Sequence, residues 1–264
     1  MLTRKCCVTL DLESDHGFYD QDTYDIINND LEVFVGLVRE MDISLTIFVT
    51  GIFLERFPKV VRFLSDNLNC EFALHSYGHR QTVCPKEAEK ACGVFERFFG
   101  YKPEGYRVPY GKISPEQIGQ LKRLGIAYHS GIGRDFLRNQ DMVYPGVFQY
   151  DNGLLDIPVS SFSFLNLPLG MGYLNFLNRS AIAQNELETE PLVFYFHLHD
   201  LFKSKAYFKL PFYFKIFYLN KEFFMEKPWE RFKDFLRFLI KNKYSFYTLK
   251  EYLDDIDSNN RICR

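Results

Sequence analysis

The sequence predicts a single α/β domain built on a largely parallel sheet, and three observations carry that expectation. Short apolar runs alternate with stretches of helical periodicity, the pattern of βα units. The runs KCCVTL, LTIFVT, EFAL and LVFYF show no polar alternation, as suits strands covered on both faces. No internal repeat, low-complexity segment or Gly/Ser linker divides the 264 residues, so one domain is expected.

Taken in order, KCCVTL runs into Asp11, LTIFVT into Gly51, EFAL into His75 and LVFYF into His197. Helices fit between them. Residues 30–41 set Leu31, Phe34, Val38 and Met41 on one face. Residues 86–99 do the same with Ala88, Ala91, Cys92, Phe95 and Phe99, and Gly100 follows as a stop. Ser114-Pro115-Glu116-Gln117 is a capping box with Pro at the first helical position, and Gly125 closes that helix. Residues 228–241 carry Trp229, Phe232, Leu236 and Leu239 at helical spacing. SFYTL then reads as a last strand before a charged, fraying tail, which bounds the domain at 1–256 and the tail at 257–264. Residues 131–225, rich in Gly, Pro and aromatics, read as long loops with a few strands.

With 47% hydrophobic residues the chain can bury a sizeable core. A net charge of -2, with Lys and Arg spread along the chain, excludes nucleic acid as the expected partner. Aromatic content is 17%, nearly all Phe and Tyr, which suits either an aromatic core or an aromatic-lined groove. The six cysteines form no CxxC pair and no disulfide framework, and Cys6 and Cys7 read as small buried residues of a reducing compartment. Five residues separate Lys5 from Asp11, too few for a signal-peptide core, and no stretch is long and apolar enough for a membrane span. The expected location is cytoplasmic. Residues 207–219, aromatics interleaved with lysines, read as a barrel-covering helix, a groove rim, or a surface in peripheral contact with a membrane.

Polar residues collect just after the apolar runs, where the loops of parallel α/β folds converge. Asp11 and Glu13 alternate with Leu10 and Leu12, so both carboxylates point to one side of a strand end. Such a pair can divide labour, one ligating a cation and one taking a proton from water; a solvated strand end would look the same. His75 and His79 in HSYGH can reach one metal ion, from a helical face or from a turn that Gly78 would allow. Arg107 in GYRVPYG offers a fixed cation beside backbone N–H groups able to stabilise an oxyanion. VFYFHLHD ends a strand in His197 and His199.

In the order acid pair, HSxxH, RxPY, strand-His, these segments resemble the polysaccharide deacetylases, carbohydrate esterase family four. The counterparts are TLDLE (9–13), HSYGH (75–79), RVPYG (107–111) and FYFH (194–197), and the likeness spans nearly the whole chain. A narrower likeness, to bacterial deacetylases associated with exopolysaccharide systems, rests on DIPVSSFSFLNLPLGMGYLNFL (156–177), LDLESD, FYFHLHD and SFYTL. The resemblance implies a distorted seven-stranded (β/α) barrel and a hydrolase that removes N-acetyl groups from a sugar of a glycan or glycan precursor. It implies Zn²⁺ or another divalent ion on His75, His79 and an acid of the first motif, with Asp11 as general base tuned by Arg107. The Tyr110 N–H would stabilise the oxyanion and His197 would protonate the leaving amine.

The chain departs from the pattern in three places. The second Asp of the first motif is Leu12 here, so Glu13 takes the third ligand position with Asp15 in reserve. HPWE appears as HLHD, making His199 a rival of His197 for the acid role; strand length favours His197. GGGY appears as GMGY. Asp135 is a candidate to orient His197. Two other readings compete: a hydrolase of another C–N bond, allantoinase- or imidase-like, and a carbohydrate-binding protein with a decayed site. Sugar, linkage, physiological metal and oligomeric state stay open.

Overall fold

The computed structural model describes residues 4–17, 24–79, 85–111, 113–131, 146–162, 167–177, 190–219 and 228–258. Nine strands appear among them: β1 (Arg4–Leu12), β2 (Leu45–Val49), β3 (Cys70–Leu74), β4 (Gly105–Tyr106), β5 (Tyr128–His129), β6 (Phe148–Gln149), β7 (Leu155–Asp156), β8 (Leu192–His197) and β9 (Tyr244–Phe246). The helices are α1 (Asp25–Asn29), α2 (Leu31–Glu40), α3 (Gly51–Arg56), α4 (Pro58–Asn67), α5 (Pro85–Phe99), α6 (Pro115–Arg123), α7 (Met171–Phe176), α8 (Leu198–Leu201), α9 (Phe212–Leu219), α10 (Pro228–Lys241) and α11 (Leu249–Ser258).

The sheet runs β6-β7-β5-β4-β3-β2-β1-β8. Seven of these strands are parallel, β6 alone lies antiparallel on β7, and β9 pairs parallel to the first residues of β1. The curl nearly closes. After β7 the chain donates from Val159 to Gly131 on one side and from Ser160 to Val193 of β8 on the other. This is the expected distorted seven-stranded (β/α) barrel, with β6 and β9 added at its edges.

Strand alternation sorts side chains into two layers. Cys6, Val8, Leu10 and Leu12 of β1, Leu45, Ile47 and Val49 of β2, and Phe194 and Phe196 of β8 join the helices in the larger apolar cluster. Cys7, Phe48, Ala73, Tyr128, Ile157 and Val193 fill the barrel interior in a second cluster. The strands therefore read as unbroken apolar runs because both faces are covered.

The helices follow local rules. Thr50 accepts from the Phe53 N–H at the start of α3, and Pro58 opens α4. The capping box of Ser114 and Gln117 forms as expected, followed by α6, and Gly125 stands at positive φ after it. The expected helices over 30–41, 86–99 and 228–241 correspond to α2, α5 and α10.

The sequence assigned no element to the segment that follows the last strand within the domain; it is α11, whose Leu249, Tyr252, Leu253 and Ile256 enter the interior cluster and stopper the barrel floor. Its acidic residues disguised it; the apolar ones recur at helical spacing. Residues 259–264 lie outside the described residues.

Glu71 fastens this stopper. It accepts from the Tyr128 hydroxyl at 2.6 Å, the Lys250 N–H at 3.0 Å and the Thr46 hydroxyl at 3.1 Å. Burial pushes its carboxyl up to about 7, against the pull of these three donors. The native state thus holds a proton that the unfolded chain releases near pH 4, and stability falls as pH rises through that window towards 7. Glu71→Gln is expected to flatten the loss of melting temperature between pH 5 and 8. Parallel wild-type and variant curves would remove Glu71 as its source.

Candidate active site

The interior face of β1 presents Thr9 and Asp11 in succession, and Glu13 follows at the strand's carboxyl end. In-register pairing sets Asp11 beside His197 of β8, while the His75 N–H bonds to the Val49 carbonyl at the end of β2. Arg107 follows β4 directly and its N–H bonds to the Leu74 carbonyl. Residues from the ends of β1, β3, β4 and β8 thus stand around one point because parallel strands end at the same level.

Arg107 is buried and fully engaged. Its Nη1 donates to Asp11 Oδ1 at 2.6 Å and to Thr9 Oγ1 at 2.9 Å, Nε to the Ser130 carbonyl at 3.0 Å, and Nη2 to Ser130 Oγ at 2.9 Å. The Phe48 ring lies 4.1 Å from the guanidinium carbon, a cation–π floor. This leaves Asp11 Oδ2 facing His75 Nε2 at 3.9 Å and His197 Nε2 at 3.8 Å. Burial opposes ionisation of Asp11, but Arg107, His75 and His197 outweigh it and hold the carboxyl below its usual range. Leu12, where the resemblance expected a second Asp, is buried in the outer layer, so Glu13 presents the next carboxylate on the site side.

Glu13 Oε2 lies 2.7 Å from His79 Nε2 and 4.0 Å from His75 Nε2. Together the three offer two imidazole nitrogens and one carboxylate oxygen within 4.8 Å of one another, a donor set suited to zinc and similar divalent ions. His75 Nδ1 sits 2.9 Å from the Arg107 carbonyl, which can only accept, so Nδ1 carries the proton and Nε2 turns its lone pair inward. Burial, the largest influence, pulls His75 down to about 4 despite Asp11, keeping the ring neutral at pH 7. Asp15, the reserve ligand, points elsewhere: it accepts from Ser204 Oγ at 2.7 Å and from the Asp25 N–H at 3.1 Å.

The HSYGH segment is a turn, but Gly78 is not the residue that makes it. Ser76 and His79 hold positive φ, at 63° and 53°. The turn is clamped instead: His79 N–H donates to Ser76 Oγ, Gly78 N–H to Glu87 Oε1, and the Gly51 and Ile52 N–H groups to the Ser76 and Tyr77 carbonyls. Gly51 is needed for this approach, since a Cβ there would meet the Tyr77 ring at 2.5 Å. Tyr110, with φ 60°, lies against the His79 ring and is half exposed at the mouth. Four of the six described non-glycine residues with positive φ (His16, Ser76, His79 and Tyr110) surround the site, strain held by surrounding hydrogen bonds.

Of the two late histidines, His197 faces the centre, its Nε2 3.7 Å from Glu13 Oε1. His199 stacks on its ring at 4.5 Å, accepts the His16 N–H at 3.0 Å and meets the Tyr218 hydroxyl at 3.3 Å. Glu13, His197 and His199 form a second cluster of metal-ligand type. Both nitrogens of His199, however, already have partners in His16 and Tyr218.

Asp200 was missed in the sequence. Its Oδ2 accepts the His197 N–H at 2.8 Å and lies 3.1 Å from His197 Nδ1, so one carboxylate caps α8 and orients the ring. Burial works against the charged ring, yet the Asp200 hydrogen bond and the charges of Asp200, Glu13 and Asp11 push His197 up to about 9. A carboxylate three residues past a strand-end His was the available signal. Asp135, given the orienting role in sequence, lies outside the described residues.

With this geometry in place, comparison with known proteins is direct. The family model for polysaccharide deacetylases matches residues 19–129, a span that includes HSYGH and RVPYG. Over that span the chain is similar to the polysaccharide deacetylase family. Comparison with curated protein sequences finds no match. Solved structures extend the likeness in fold over the whole length of the chain. A Mycobacterium smegmatis protein described as a polysaccharide deacetylase superposes with TM-score 0.63 at 15% identity, covering 100% of this chain and 94% of that one. A Bacillus subtilis peptidoglycan deacetylase gives TM-score 0.54 at 13% identity, covering 98% and 93%. A 4-alpha-glucanotransferase from Thermococcus litoralis gives 0.61 at 14% identity, covering 96% of this chain and 40% of that one. At these identities the superpositions establish the deacetylase-type barrel alone, and one such barrel carries other carbohydrate chemistry.

Proposed function

We propose that this chain is a metal-dependent hydrolase removing the N-acetyl group from an N-acetylated sugar of a glycan or glycan precursor. One observation carries the reading. A carboxylate held by a buried Arg, a His/His/Glu donor set and a carboxylate-oriented His are joined by successive contacts of 4.0 Å or less. The narrower likeness of residues 156–177 to exopolysaccharide-associated deacetylases supports a sugar substrate; residues 163–166 of that segment lie outside those described.

The reaction adds water across an amide C–N bond and yields acetate and a free amine. A divalent ion on Glu13, His75 and His79 would supply Lewis acidity to the acetamide carbonyl and to water. Asp11 Oδ2, turned to the centre while Arg107 holds Oδ1, takes the proton of the attacking water. The Tyr110 N–H, on a strained turn at the mouth, stabilises the oxyanion. His197, kept protonated by Asp200, gives its Nε2 proton to the departing nitrogen. The Arg107 anchor costs Asp11 basicity and fixes its direction, a trade in favour of orientation.

The deciding experiment is metal content of purified protein, wild type beside His75→Ala/His79→Ala, with acetate release from N-acetylglucosamine oligomers measured in parallel. About one divalent ion per chain is expected, lost with activity in the double variant. Wild type that takes up no metal after reconstitution would overturn the mechanism and favour a metal-free C–N hydrolase or a binding protein.

A further inference from the structure

We propose that the α9 surface seats this protein on an anionic lipid bilayer, with the active-site mouth at the membrane face. Helix α9 buries none of its residues. Its inner side is held to the body by Phe217, which stacks on Phe176 and meets Tyr173 edge-on, and by Tyr218 on His199. The side left outward is apolar as well. Phe212, Ile216 and Leu219 lie at i, i+4 and i+7 on one face, with Tyr213 beside them. Phe212 is 78%, Phe208 68% and Tyr213 66% exposed. Soluble helices turn such a stripe inward, so a contiguous apolar face here marks a contact surface.

Charge identifies the occupant. From Leu201 to Leu219 the chain carries Lys203, Lys205, Lys209 and Lys215 and no Asp or Glu, in a protein of net charge -2. Lys203, Lys205 and Lys209 are exposed, so cations rim the apolar face. Apolar side chains that enter the acyl boundary while lysines meet headgroup phosphates are the pattern of an interfacial anchor. A sugar-stacking rim would pair aromatic rings with hydrogen-bonding partners, whereas Phe212, Ile216 and Leu219 have none to offer. The patch adjoins the reaction centre: Tyr218 meets His199, whose ring stacks on that of His197. No helix among the described residues is long and apolar enough to cross a membrane, so the contact is peripheral.

Flotation of the full chain with phosphatidylglycerol/phosphatidylcholine vesicles, beside pure phosphatidylcholine, tests this directly. Wild type should float with the anionic vesicles and dissociate as salt rises. Phe212→Ser/Ile216→Ser and Lys203→Gln/Lys205→Gln/Lys209→Gln should each weaken partition about tenfold or more at unchanged melting temperature. Wild type that ignores anionic vesicles, or variants that bind as wild type does, would overturn the proposal. So would a dimer by light scattering, or retention on an N-acetylated glycan resin, that the aromatic variant abolishes without any vesicle binding. Vesicle binding and acetate release are separate measurements, so this proposal and the deacetylase reading can fail independently.

Discussion

Asp11→Asn is expected to lower turnover by about 10³-fold while leaving metal content and fold unchanged. Asn retains an oxygen to accept from Arg107 Nη1, the 2.6 Å contact that positions the side chain. What it loses is the charge on the atom facing His75 and His197. Because Asp11 is outside the Glu13, His75 and His79 donor set, metal should remain. Acetate release and elemental analysis on the same preparation give both readouts. Activity within tenfold of wild type would remove Asp11 as the base, and loss of metal would make it a ligand.

Arg107→Met should have the largest effect on stability. It removes four hydrogen bonds and leaves the Asp11 carboxylate buried without its countercharge. Breaking one side of a buried pair costs about 3–5 kcal/mol, which in a domain of this size lowers the melting temperature by roughly 10 °C. Activity should vanish, because Asp11 loses both its orientation and the cation that keeps it ionised. Arg107→Lys keeps a charge but not the planar fork that reaches Thr9, Asp11 and both Ser130 oxygens, so it should rescue little. Asp11→Leu/Arg107→Met should regain much of the stability and none of the activity. A loss below about 1 kcal/mol in the single variant, by thermal or urea melts, would show that the pair adds nothing net.

How much was legible in the sequence follows from how local each signal is. β1, β2, β3 and β8 could be read because strands buried on both faces must be apolar throughout. Helices α2, α5, α6 and α10 declared themselves by periodicity or capping. Strands β4, β5, β6 and β7 span two residues each and leave no period to detect. Helix α3 begins at a Thr cap and α4 at Pro58, signals that were present and not used. Helix α11 hid behind its acidic residues, although its buried face has ordinary helical spacing.

The same division applies to the site. Asp11, Glu13, His75, His79, Arg107 and His197 were visible because each lies next to a strand end, and a β-strand sends alternate residues to the same side. Thr9 was missed, though alternation places it on the Asp11 side, where it shares Arg107 Nη1. Ser130 and Phe48 could not be paired with Arg107 from spacing, since those contacts cross between strands, whereas Asp200 stands only three residues past His197.

The sequence by itself therefore determined the long strands, the main helices and the chemical types of the candidate site residues, because those depend on nearest neighbours and on period. Only the tertiary structure decided which atom of each group faces the centre. It set Glu13 against His79 and Asp15 against Ser204, oriented His197 through Asp200 and left an apolar side of α9 outward. Those choices depend on the relative rotation of strands and helices hundreds of residues apart in the chain. No local propensity encodes that rotation; packing of the whole barrel sets it.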